Sequence, residues 1–162
     1  MPIPIIDLFA GPGGLGEGFS SYRHSNSSPF KIELSVEKDP AAHKTLKLRS
    51  FTRQFKKDIP EAYYEYVRND KADIGEYLYN AKFKKQLQKA ESEAINLTLG
   101  PDDNPEIEKL IKERIGNRKD WVLIGGPPCQ AYSLIGRARM QGQSDFAIDE
   151  RHTLYEYYLH ML

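Results

Sequence analysis

The sequence predicts an α/β fold: a parallel sheet flanked by helices, with a helical insertion in the middle of the chain. Three observations predict it. The apolar run Ile3-Pro4-Ile5-Ile6-Asp7-Leu8-Phe9 meets five glycines between Gly11 and Gly18, as a strand entering a tight turn and then a helix would. A second apolar run, Phe30 to Val36, ends on the acidic Glu37. A third, Trp121-Val122-Leu123-Ile124, stops abruptly at Gly125-Gly126-Pro127-Pro128-Cys129. Strand, glycine turn, helix, strand, acidic residue, helix is a βαβ pattern, whose crossovers are right-handed and whose strands are parallel.

The elements follow in order. The first helix is expected to end near Tyr22, and Ser25 to Pro29 reads as a polar loop. Asp39-Pro40 opens the next helix, with Asp as the cap and Pro in the first turn. From Glu61 to Leu99 the chain is polar, and Tyr63, Val67, Ile74, Leu78, Leu87, Ala90 and Ala94 recur at roughly helical spacing, which predicts one or two amphipathic helices. Gly100-Pro101 breaks them, and Asn104-Pro105 starts another helix with Ile107, Leu110, Ile111 and Ile115 on its apolar face, stopped by Gly116. A segment rich in Gly, Gln and Arg runs to Ser144, and a final helix begins after Arg151. Residues 60–119 read as the insertion.

Composition narrows the function. With 162 residues, 40% hydrophobic and 28% charged, the chain builds one core and is neither disordered nor collagen-like. Its 23 basic and 23 acidic residues cancel, which excludes a uniformly basic nucleic-acid binder but leaves local basic stretches. Two stretches hold basic residues and no acid: Pro40 to Lys57, with six Lys or Arg, and Trp121 to Ser144, with Arg137 and Arg139. Such segments can neutralise phosphates. The one cysteine, Cys129, excludes an intrachain disulfide and a multi-cysteine zinc site, so no metal and a reducing compartment are expected. No apolar run approaches the ~20 residues of a membrane span, and no basic leader opens the chain. A cytoplasmic protein with no membrane partner is the expectation.

Two turns carry the chemistry. Gly11, Gly13 and Gly16 fit G-x-G-x-x-G, and Glu37 stands at the end of the next strand, where it can accept from two ribose hydroxyls. Any adenosine ligand suits this, NAD included; the alternative is a structural turn with Glu37 solvated. Asp7 and Phe9, just before and within the turn, favour a ligand with a cationic amino-acid end, which S-adenosylmethionine has. At the second turn, Pro127 and Pro128 hold Cys129 rigidly at the end of a strand, as a nucleophile requires. A buried inert thiol is the alternative, but polar Gln130 and Ser133 beside it do not suit a core.

The segments Asp7-Leu8-Phe9-Ala10-Gly11-Pro12-Gly13-Gly14-Leu15 and Gly126-Pro127-Pro128-Cys129-Gln130-Ala131-Tyr132-Ser133 resemble the first and fourth motifs of the DNA (cytosine-5) methyltransferases. Between them, Glu37-Lys38-Asp39 resembles the second motif and Lys57-Asp58-Ile59 the third; Asp149-x-Arg151-x-x-Leu154 resembles the start of the fifth. The resemblance implies a Rossmann-like S-adenosylmethionine-dependent methyltransferase fold, represented here by the N-terminal part of the catalytic domain across residues 1–162 and therefore incomplete.

It further implies that Cys129 attacks C6 of a cytosine flipped from double-stranded DNA, with Pro128 orienting it. Phe9, Ala10, Gly11, Gly13, Gly14 and Leu15 would hold the methionine part of the cofactor. Glu37 would bind the ribose, Asp58 and Ile59 the adenine edge, and Gly126 and Leu154 would line the pocket. Lys38 stands beside the cofactor where the family commonly has an aromatic residue on adenine. Gln130, Ser133, Arg137 and Arg139 would meet DNA. A bacterial, DNA-associated modification enzyme of a restriction–modification system is the function implied. The relatives that methylate tRNA share these motifs, and a non-catalytic cofactor- or DNA-binding fragment is the reading from another class.

Overall fold

The computed structural model describes residues 1–25, 27–55, 58–69, 71–127 and 154–162. Four parallel strands, β1 (Ile3–Leu8), β2 (Phe30–Val36), β3 (Ala94–Ile95) and β4 (Val122–Gly125), form one sheet in the order β3-β2-β1-β4. From β1 the chain moves outward through β2 to β3, then returns to lay β4 on the other side of β1. The strand order therefore reverses between β1 and β4, and ligands of open α/β sheets bind at the carboxyl ends of the strands beside such a switch point.

β1 is central and buried on both faces, which explains its unbroken apolar run. Ile6 and Leu8 pack with Leu34, Val36 and the Ile107, Ile111 and Ile115 stripe of α6 (Asn104–Ile115). Ile5 faces the other way, onto Ile32, Ile124 and Phe19 of α1 (Gly14–Ser21). α2 (Pro40–Arg53) starts as its sequence predicts: Asp39 Oδ1 accepts from the Ala42 amide at 2.7 Å, and Pro40 follows in the first turn. Gly116, at φ 60°, ends α6. The last element is α7 (Leu154–His160).

The 60–119 stretch divides differently from its sequence pattern. α3 (Glu61–Arg68), α4 (Ile74–Tyr77), a 3-10 turn (Ala81–Phe83) and α5 (Lys84–Glu93) replace the one or two helices expected. With α2 they enclose a second core of Phe51, Leu78, Phe83 and Ala90, in which no strand residue takes part. Phe51 meets the rings of Phe55, Tyr79 and Phe83 edge-on at 5.2, 5.4 and 6.0 Å, a favourable aromatic geometry. Ala94, expected on the helical face, instead lies in edge strand β3. A strand of two residues is too short to show the alternation that marks a strand. β3 and α6 thus belong to the layers of the sheet. No helix among the described residues is long and apolar enough to cross a membrane.

Candidate ligand site at the carboxyl edge of the sheet

β1 ends at Leu8 rather than Phe9, because Phe9 turns to φ 56°, a left-handed conformation that an aromatic residue adopts only under constraint. Its ring stacks on Tyr158 of α7, centroid to centroid 6.4 Å at 29°. Gly11 (φ 57°) and Gly13 (φ 87°) continue the turn. Gly13 is close-packed: a Cβ there would stand 2.8 Å from Leu46 Cδ1. Among the described residues nothing lies within 4 Å of a Cβ position at Gly11, so they leave that side of the turn open. Gly125 is required where β4 meets β1, since a Cβ would fall 2.1 Å from the Leu8 carbonyl oxygen.

Glu37 ties this edge together. Its Oε2 accepts from the Gly11 amide at 2.7 Å, and its Oε1 from the Asp39 amide at 2.8 Å. Its own amide donates to the Ile95 carbonyl at 3.1 Å, and the Ala10 amide donates to that of Val36 at 3.0 Å. Asn96, just past β3, donates through Nδ2 to the carbonyls of Glu37 at 2.7 Å and Lys38 at 3.0 Å. One carboxylate and one amide therefore join the glycine turn, the ends of β2 and β3 and the start of α2. Each Glu37 oxygen accepts one backbone proton and keeps a lone pair, which is what two vicinal ribose hydroxyls need. With the open ground at Gly11 and exposed Gly126, the residues fit an adenosine cofactor.

The expected site residues do not all meet here. Phe9, Ala10, Gly11, Gly13, Gly14, Leu15, Glu37, Lys38 and Gly126 stand at the carboxyl edge or on the turn; Leu15 and Lys38 are exposed, and Leu154 is buried at the start of α7. Asp58 and Ile59 are a correction. They follow α2, whose 14 residues carry the chain about 21 Å from Glu37. There Asp58 lines a cavity of about 790 Å³ with Glu17, Lys31, Arg53 and Glu93, beside the amino end of β2. Asn96 takes the place at the sheet edge that sequence reasoning gave to them. Its signal was the short Ala94-Ile95 pair after a polar helix.

Asp7 is a second correction. It is 1% exposed and lies under the first turn of α1, where a Cβ on Gly16 would stand 3.1 Å from Oδ2. It does not face a ligand's cationic tail. Among the described residues no group meets either carboxyl oxygen in good hydrogen-bond geometry, and the nearby Gly16 amide interacts with it only weakly. Burial pushes its pKa up to about 7; Arg53 opposes this, Glu37 adds to it, and the Gly16 amide again opposes it. Cys129, Pro128, Gln130, Ser133, Arg137 and Arg139 lie outside the described residues. Among the described residues no cluster of His, Cys, Asp or Glu could hold a metal ion.

A parallel sheet with a switch point, a glycine turn over its central strand and an acid at the end of the next defines a Rossmann-like architecture of the methyltransferase type. The chain is similar to the type II methyltransferase M.Bpa9945I of Bacillus paralicheniformis, 34% identical over 169 residues that cover 95% of this chain and 36% of the relative. It is also similar to M.OihORF3336P of Oceanobacillus iheyensis, provisionally named a type II methyltransferase, 27% identical across 96% of this chain and 25% of that protein. The chain thus spans about a third and a quarter of the lengths of these relatives. No family model and no solved structure matches it.

Proposed function

We propose that this chain carries the cofactor-binding and nucleophile-bearing part of a DNA (cytosine-5) methyltransferase, acting in a type II restriction–modification system in the bacterial cytoplasm. The observation that carries the reading is the Glu37 carboxylate, bonded to the Gly11 amide at 2.7 Å at the edge where adenosine ligands bind. The names of the two relatives support methyl transfer, and the sequence Pro127-Pro128-Cys129-Gln130 supports the cytosine-5 chemistry.

S-adenosylmethionine, when bound, supplies a methyl group on a sulfonium. Glu37 accepts from its ribose hydroxyls, the backbone from Phe9 to Leu15 flanks its amino-acid part, and Lys38 and Asn96 border the base. Gly126 leaves room at the switch point. Cys129 Sγ, as thiolate, adds to C6 of a cytosine swung out of the duplex and drives electrons to C5. The cofactor would supply the methyl group that C5 takes up; a solvent base would then accept the C5 proton as the Cys129–C6 bond breaks, releasing 5-methylcytosine and the Cys129 thiolate. Pro128 fixes the direction of attack, and Gln130, Ser133, Arg137 and Arg139 meet the DNA.

Calorimetric titration of the full-length protein with S-adenosylmethionine and with NAD tests the cofactor. Binding of the former is expected, with a roughly ten- to hundredfold loss in Glu37→Gln, the scale of hydrogen bonds to a charged group. Preference for NAD contradicts this.

A further inference from the structure

Arg49 is the one arginine among the described residues whose side chain makes no hydrogen bond or ion pair. Arg23, Arg53, Arg68, Arg114 and Arg118 are all held by carboxylates, hydroxyls or carbonyls. Its placement is specific. The aliphatic part crosses the glycine turn, with Cδ 3.6 Å from where a Gly13 Cβ would stand, and the guanidinium ends with Nη1 4.0 Å from the corresponding point on Gly14. The side chain as a whole is half-buried, and no protein anion among the described residues pairs with its guanidinium. A cation in that state is costly to leave unpaired, and arginine's planar fork suits a carboxylate better than any other side chain does.

We infer that Arg49 binds the carboxylate at the amino-acid end of the cofactor, and so makes this site select an adenosine that carries an amino acid. The inference rests on the adenosine-cofactor reading given above. Gly11, bonded to Glu37, marks the ribose end of the site. Gly14, beside the guanidinium, is three residues further along the turn and at most about 10 Å away. A tail of sulfur, two methylenes, an α-carbon and a carboxylate spans a comparable distance. The arginine thus lies against the turn at ordinary van der Waals distance from both glycine positions.

The test compares S-adenosylhomocysteine with 5′-methylthioadenosine, which has the same adenosine and thioether but no amino-acid end, using the full-length protein. Wild type should bind the former at least tenfold more tightly. Arg49→Met should erase that ratio while keeping its affinity for 5′-methylthioadenosine and its melting temperature; Arg49→Lys should keep part of the ratio. Equal affinity of wild type and Arg49→Met for S-adenosylhomocysteine overturns the assignment. Failure of wild type to bind either nucleoside removes the cofactor reading beneath it, a result distinct from the first. An Arg49-dependent preference for NAD, whose pyrophosphate is also anionic, would likewise overturn the assignment.

Discussion

Arg49 and Arg53 are one helical turn apart on α2 and face the same neighbour, α1, yet their surroundings are opposite. Arg53 bonds to both Glu17 and Glu93, themselves on separate helices, and so ties α1, α2 and α5 together. Arg49, level with Gly13 and Gly14, touches no acid. The two helices run side by side, with Gly13 against Leu46 at one end and Glu17 against Arg53 at the other. The same residue type thus serves as a tie where α1 carries an acid and remains available where α1 begins with glycines. The end away from the sheet's carboxyl edge is internally satisfied; the end at that edge is open.

Asp7 lies between these two ends and should show the largest effect. Its folded pKa of about 7 exceeds the ordinary 3.8, so the folded state holds a proton that the unfolded chain has already released. Stability is then full below about pH 4 and falls as pH rises to 7, by about 4 kcal/mol from this group. Urea unfolding of wild type from pH 4 to 8 should show that decline, and Asp7→Asn should flatten it. Next in size is Arg53→Met, which leaves Glu93, 12% exposed, and Glu17 without their cation. A loss of roughly 2–4 kcal/mol is expected in the same assay, the penalty for stranding partly buried charge. The smallest effect belongs to Arg49→Met, within about 0.5 kcal/mol of wild type, as befits a side chain with no partner to lose. A large loss there would erase the contrast between the two arginines.

Much of this was legible in the chain. The first βαβ unit, the Asp39-Pro40 start of α2, the stripe of α6 and the pairing of the glycine turn with Glu37 all follow from local patterns: periodicity, caps and motif spacing. What failed depended on where distant segments meet. Lys57-Asp58-Ile59 looks in the sequence like the residues expected at the end of a third strand, but Asp58 and Ile59 come after the carboxyl end of a long helix, and Asp58 lies toward the amino end of β2. The real third strand, Ala94–Ile95, is recognisable only by its pairing with Ser35 and Val36. The position of Asp7 just before the turn suggests a ligand-facing acid, but in a strand buried on both faces either side of the chain points into the core. The aromatic cluster around Phe51 draws on four helices, and no single window of sequence contains it.

The most direct test of the central claim is a covalent trap. The full-length protein is incubated with S-adenosylmethionine and duplex DNA containing 5-fluorocytosine, whose C5 fluorine cannot leave as a proton does, and the products are separated under denaturing conditions. Wild type should form a cofactor-dependent protein–DNA adduct that maps to Cys129, and Cys129→Ser should form none. An adduct that persists in Cys129→Ser, or methylation of 5-methylcytosine-blocked DNA at adenine, would contradict the account.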